Sequence, residues 1–582
     1  MHVIYLSEES LMKRTTLAVL MIALALVALA APMAFAQAPA PKVSITGFID
    51  NLGTYSQNGA NYNGGTFNRG DDLFYGRTRG RFDIVGEVGK AKAVFGFELD
   101  HVWGQTGSND STINNAGAAG TTAVTTGLGT DGGFDLNTDS RGIVEVKWLY
   151  VEFPMPLIPV PTTVRLGAQP FGAAATYKLA AYATGDFPGV NVVSQITPNV
   201  KLLGTYVQVE EALTGTDTAP FPVTTSPSGV SATQVRGDDF AYIISAEITP
   251  FKGLDIKPMF SMFYAQGTTS SSARAGRGGI GTGTPVFATA DVGTNCGAQT
   301  GGPGTNCFRG GINEYRYTTG VDARLRMGPF SLDPTVLYQF GNRAVIVPSN
   351  SAACLAAGTC FSFTGATPGQ KKYADISAWL IDVRGGFQLG PLLLEGLVAW
   401  STGNSARNSS LDTVRYFQPL TTDTSYQADW GSQLTALGVD YLNAWNEAAG
   451  RIAYPGNQIG WDKYGRLQVG AKATYAITPD LSLMGGANVH WTAEKVDRNG
   501  VAGTGSGINP VFNGSTPRDR SRYVGTELFG VITWRFAPGI SWDNAGGYMF
   551  MGDALDAVTD PTAGGQNVNN PWILTSRVRF SF

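Results

Sequence analysis

From about residue 43 to its last residue, this chain repeats one pattern: runs of roughly 8 to 16 residues in which polar and apolar side chains alternate, as in strands with two unlike faces. Between residues 75 and 88, Arg77, Arg79, Arg81 and Asp83 share one face while Thr78, Gly80, Phe82 and Ile84 share the other. In the next run Ala91, Ala93, Phe95, Phe97 and Leu99 form an apolar face, with Lys92, Glu98 and Asp100 opposite. One such pair would suit any half-buried sheet. Repetition along the whole chain requires a sheet with one wet face and one apolar face throughout.

The connections narrow the choice further. Segments 88–90, 249–253, 328–331, 389–391, 478–480 and 537–539 are tight turns carrying Gly, Pro or Asp, which accept the required dihedrals. Between them lie long polar connections near 57–72, 104–140, 211–236, 267–313, 344–372, 403–463, 495–520 and 552–571. Alternation of short turns with long loops is the pattern of transmembrane antiparallel β-barrels, with the turns on the periplasmic side. With the chain start in the periplasm, upward strands fall near 43–56, 90–103, 162–169, 200–210, 254–266, 332–343, 392–402, 481–493 and 540–551. Downward strands fall near 73–88, 141–153, 189–196, 239–249, 314–327, 373–388, 464–477, 521–536 and 571–582. The sum is eighteen, an even number that lets an antiparallel barrel close. Runs 162–169 and 189–196 are the shortest, so sixteen strands is the alternative count.

Composition enters as a test of that reading. Glycine makes up 75 of the 582 residues, and charged residues are 15%, where an ordinary soluble chain has about 25%. The chain is too poor in charge for a large soluble surface. After the first 36 residues it is too polar for bundled membrane helices, since no apolar run of about 18 residues remains. Aromatic residues collect where strand ends would be, among them Tyr55, Phe74, Trp103, Tyr264, Tyr373, Tyr475, Trp534 and Tyr548, as girdles at two membrane interfaces would require.

Residues 1–36 carry a different pattern. Met12, Lys13 and Arg14 form a basic start, residues 17–32 are apolar, and Ala34-Phe35-Ala36 ends the run with small residues, which predicts a signal peptide cleaved after Ala36. Met12 is a second possible start. The expected mature protein, 37–582, is one barrel with long outer loops. Within 403–463, Leu434, Leu437, Tyr441, Leu442 and Trp445 recur at helical spacing, so a helix there either plugs the outer mouth or packs on the surface.

On these strands the chain resembles the general porin family of Gram-negative outer membranes. Thr46-Gly47-Phe48-Ile49-Asp50 looks like that family's first strand, and the run from Arg79 to Gly89 with the run from Lys92 to Glu98 looks like its second hairpin. Tyr150-Val151-Glu152-Phe153 and the run from Thr163 to Gln169 are similar to its fourth and fifth strands. The amphipathic end, with Val578, Phe580 and Phe582 on one face and Arg577 and Arg579 on the other, matches its assembly signal. The resemblance implies an outer-membrane location among lipid and lipopolysaccharide, insertion by the barrel assembly machinery, a homotrimer, and passive diffusion of ions and small hydrophilic solutes. It also implies that a loop folds inward after the fifth strand to constrict the channel. A structural or adhesive barrel with a plugged lumen is the competing expectation.

For a channel, the chemistry is that of charges lining a narrow, water-filled lumen. Candidate lining residues are Arg77, Arg79, Arg81, Asp83, Glu98, Asp100 and Arg165, with Lys178 and Asp186 in the expected inward connection 170–189. Cys296 with Cys307 and Cys354 with Cys360 are candidate loop disulfides, permitted in an exported chain. No basic tract points to nucleic acid, no Cys/His spacing points to a metal, and no cofactor is expected. Of the three histidines, His2 falls in the signal, and neither His101 nor His490 has a committed serine arrangement beside it, so no catalytic residue is assigned.

Overall fold

The computed structural model describes residues 40–58, 73–103, 144–156, 158–171, 185–210, 239–266, 313–346, 371–403, 413–417, 420, 430, 432, 434, 465–495, 521–555 and 570–582. The signal segment, the four cysteines and Lys178 lie outside these, as does the expected helix apart from Leu434. The strands are β1 (Lys42–Gln57), β2 (Leu73–Val88), β3 (Ala91–Val102), β4 (Val144–Pro154), β5 (Thr162–Phe171), β6 (Gly185–Thr197), β7 (Val200–Glu210), β8 (Asp239–Phe251) and β9 (Leu254–Gln266). They continue as β10 (Asn313–Met327), β11 (Phe330–Ile346), β12 (Lys371–Leu389), β13 (Leu392–Ser401), β14 (Thr413–Val414), β15 (Leu467–Ala476), β16 (Leu481–Trp491), β17 (Tyr523–Ala537), β18 (Ile540–Met551) and β19 (Trp572–Ser581).

Apart from the two-residue β14, these form a closed antiparallel barrel of eighteen strands in sequence order. Both short runs, now β5 and β6, are wall strands, so the larger of the two expected counts holds. β6 begins at Gly185, which shortens the connection after β5 to 172–184, and those residues lie outside the described set. The turns work as their residues require. In the β8–β9 turn Gly253 has φ +97°, and any Cβ there would press on the Arg326 carbonyl, so only glycine fits both the dihedral and the space.

Period two sorts the side chains. On β1, Asp50, Leu52, Thr54 and Ser56 are buried, while Val43, Ile45, Ile49 and Tyr55 are exposed on the outside. Around the barrel the outer surface carries exposed Ile244, Phe260, Leu394, Val398, Leu483, Leu528 and Ile532. Exposed Tyr55, Phe74, Trp103 and Tyr548 lie toward the outer ends, with Trp534, Phe536, Phe580 and Phe582 toward the periplasmic ends. Tyr264 departs from this, buried against Phe240 and Tyr315. An apolar outside bounded by two aromatic zones makes this a membrane-spanning barrel. Strands of 10 to 19 residues exceed the ~9–11 needed to cross, so the wall rises above the lipid.

The barrel closes where β1 meets β19, with Phe48 opposite Ser581 and Gln57 opposite Trp572. Gly47 and Phe582 exchange backbone hydrogen bonds of 3.0 Å in each direction, and the Phe582 ring lies 5.9 Å from Phe82 and 5.8 Å from Phe580. Phe582→Ala keeps the backbone bonds and loses the ring contacts, about 0.5–1.5 kcal/mol per pair. That loss is small for a closed barrel. We therefore expect little change in the urea midpoint of purified barrel but, on the assembly signal that the resemblance implies, a severalfold drop in membrane yield. Equal membrane yields for Phe582→Ala and the parent would contradict this.

Candidate functional site

Two unlike surfaces face the lumen. The first is a charged arc over β18, β19, β1, β2 and β3. Asp543 on β18 receives Arg577 of β19 at 2.8 Å, and Asp50 of β1 receives Arg579 at 2.6 Å. Arg79 and Arg81 of β2 converge on Glu98 of β3, Arg79 at 3.3 Å and the Arg81 Nε at 2.7 Å. Arg77 is fully buried one step farther out on the same face. Alternation puts all five arginines on the inner face for the same reason that it puts Phe580 and Val578 outside.

Arg77, Arg79 and Arg81 thus share the inner face of β2, where Arg79 and Arg81 have Glu98 as their carboxylate. Asp83 continues the inner face of β2, and Asp100 stands opposite Arg79 in register. Arg165 belongs elsewhere. It is bound to Glu152 at 2.6 Å and lies over the Tyr150 ring, while Lys92 reaches the same carboxylate at 2.8 Å. Lys92 sits six residues below Glu98 on β3, roughly 20 Å at 3.3–3.4 Å per residue. Arg165 thus joins a ring of paired charges near the periplasmic ends, with Lys257 and Glu247 at 3.1 Å and Arg324 and Asp255 at 2.7 Å. Asp186 lies on β6 opposite Pro170.

The second surface is apolar, which a water-filled lumen does not favour. Val207 of β7, Ala241 and Ile243 of β8, Met259 and Phe263 of β9, Leu337 of β11, and Ala378 and Leu380 of β12 form one buried inward cluster. Its cover comes from the long connection after β13. β13 pairs with β12 only as far as Leu380, and β14 takes up the free edge beyond, running parallel to β12 opposite Asp375 and Ile376. From there the chain turns into the lumen, and Phe417 and Leu420 bury themselves in the cluster.

The same segment is tied down by polar contacts. The Tyr416 hydroxyl accepts from Arg343 at 3.1 Å, and Arg343 in turn binds Glu314 at 2.7 Å, with Arg316 3.4 Å from the same carboxylate. Farther along, Trp430 packs on Leu397 and Ala399 of β13, with the Lys472 ammonium 4.9 Å from its ring. Glu527 of β17 then accepts a hydrogen bond from the Ser432 hydroxyl and, at 2.8 Å, from the Leu434 backbone N–H. The described parts of 413–434 therefore touch the inner wall from β7 round to β17.

His490, considered above for catalysis, points inward, with Nε2 3.8 Å from Glu527. The carboxylate stands between Ser432 and His490, whereas a nucleophilic triad needs the histidine in the middle. This group holds a loop. Among the described residues no cluster of His, Cys, Asp and Glu could hold a metal.

Sequence reading missed the Glu314, Arg316 and Arg343 cluster, although Glu314, Arg316 and Thr318 alternate as plainly as the arginines of β2. It also missed the inward turn at Phe417, for which the signal was the apolar inner face of β12 at Ile376, Ala378 and Leu380.

No known family profile matches the chain, and no curated protein matches it in sequence. Solved structures that align with 93% of it include a BenF-like porin from Pseudomonas fluorescens, at 10% identity over 98% of that chain with TM-score 0.44. OccAB1 of Acinetobacter baumannii aligns at 9% identity over 97% of its chain with TM-score 0.43, and OccK5 of Pseudomonas aeruginosa at 8% over 98% with TM-score 0.39. At such identities, what this chain does has to be argued from its own lumen.

Proposed function

We propose that the protein is a diffusion channel of a Gram-negative outer membrane, passing ions and small hydrophilic solutes along the charged arc of β18 to β3. The observation that carries this is the division of the inner wall. The apolar side from β7 to β13 is occupied by Phe417 and Leu420, while the arc from β18 to β3 carries Arg577, Arg579, Arg79 and Arg81 with the carboxylates of Asp50, Asp543 and Glu98. A passage along that arc is lined by paired charges. Purified protein in planar bilayers should give stepwise conductance increments. The competing reading, an inert plugged barrel, draws on the same inward segment, and absence of steps from folded protein would decide for it.

Ion preference follows from the arc. Arg577 and Arg579 are each paired with a carboxylate while Arg79 and Arg81 share Glu98, so selectivity should be weak, with an anion-preferring shift carried by the arginines. Current is controlled at the narrowest part, and salt screens more distant charges beyond about 8–10 Å. The triple change Arg77→Gln/Arg79→Gln/Arg81→Gln leaves Glu98 facing the lumen with its partners gone. The reversal potential in a salt gradient should therefore move toward cation preference, and more at low salt than at high. An unmoved potential in a folded, conducting variant would place this face away from the controlling region.

A further inference from the structure

Four hydrogen-bonding side chains sit together on the inner wall of β15, β16 and β17. The register sets Gln468 opposite His490 and Asn488 opposite Glu527, and all four are fully buried. The amide nitrogen and oxygen of both Gln468 and Asn488 have no hydrogen-bond partner among the described residues. Trp430, Ser432 and Leu434 stand against this part of the wall. Trp430 seats on Gly470 beside the Asn488 amide oxygen, so closely that a Cβ on Gly470 would collide with both. Ser432 and Leu434 are fastened to Glu527.

In a lumen, wall carboxamides would ordinarily be wet. Here both are fully buried without a hydrogen-bond partner among the described residues, with the Trp430 indole beside Asn488, which penalises the covered state. A solute that satisfied both amides would regain what the cover forfeits.

We propose that Gln468, Asn488 and Glu527 form a binding subsite for neutral, hydroxyl-rich solutes, capped by Trp430, Ser432 and Leu434, which such a solute displaces. Each carboxamide presents a donor and an acceptor side by side, the pattern that two adjacent hydroxyls match. Freed from Ser432 and Leu434, the Glu527 carboxylate accepts from further hydroxyls, and the Trp430 ring offers an apolar face to C–H groups. Charge argues against an anion. Glu527 supplies negative charge, and nearby Lys472 is held by Glu395 at 3.4 Å. The subsite rests on the channel reading.

The test compares sorbitol with triethylene glycol, a neutral solute of similar size with few hydroxyls, in osmotic swelling of proteoliposomes. Gln468→Leu/Asn488→Leu should slow sorbitol entry about fivefold, the effect of about one net hydrogen bond, and leave triethylene glycol entry and potassium chloride conductance unchanged. Equal slowing of both solutes, or of neither, overturns the subsite. A second readout needs no wall variant. The Trp430 fluorescence, taken as the difference between the parent and Trp430→Phe in detergent, should change saturably with sorbitol and not with triethylene glycol. A flat difference spectrum overturns the proposal even if the wall variant fails to fold. Loss of conductance in the parent would instead sink the channel reading, leaving the fluorescence to decide the subsite.

Discussion

Phe417→Asp/Leu420→Asp should raise the single-channel conductance severalfold. Both side chains are buried in an apolar cluster on the lumen wall, where each contributes about 1.5–3 kcal/mol by leaving water. Two carboxylates in the same place would have no partner there, and an unpaired buried charge costs several kcal/mol. Docking therefore changes sign, and the segment should leave the wall for the water-filled lumen and the outer mouth. The Tyr416 bond to Arg343, the Trp430 packing and the Glu527 latch oppose that release. The barrel itself should survive, because its strands pair without this segment. Heat-dependent gel mobility would show that the variant is folded, and bilayer recordings would give the conductance. A folded variant with the parent's conductance would mean that the 413–434 segment does not obstruct the passage.

Glu314→Ala should be the most destabilising single change in the described wall. Arg316 and Arg343 are each 1% exposed on either side of this carboxylate, and removing it leaves two buried guanidiniums without the anion they share. Breaking a buried pair in this way costs about 3–5 kcal/mol. The loss should appear as a lower urea midpoint, followed by tryptophan fluorescence in detergent. Adding Arg343→Leu should recover part of it, because one uncompensated charge is then gone. The double variant also loses the Tyr416 anchor, so its stability and its conductance should move separately. A loss below about 1 kcal/mol for Glu314→Ala would mean that water or other groups already compensate these charges.

Much of this was legible in the residues. Two-residue alternation with glycine and proline turns marked the eighteen wall strands, and β7 and β9 have the bounds that the pattern predicts. Ends were less secure. β6 begins four residues before the predicted 189, because Phe187 and Pro188 interrupt the alternation while the backbone stays paired with Gln169 and Ala168. The ladder of Arg77, Arg79 and Arg81 was legible, since one strand carries it and its side is decided by what lies opposite. Its carboxylate was legible as a residue type, and its pairing was decided by the β2–β3 register, which sets Arg81 against Glu98.

By itself, then, the amino-acid sequence determined that this chain is an antiparallel barrel with a polar inside, because a strand's two faces are written locally, every second residue. Only the tertiary structure decided how the inside is divided. Phe417 meets Val207, Met259 and Leu337 because β7, β9 and β11 curve to face a common axis, and that happens only once β1 has met β19. Periodicity records which residues share a face. It carries no term for what a distant loop brings to that face, and here Phe417 and Leu420 of such a loop occupy the apolar side of the lumen.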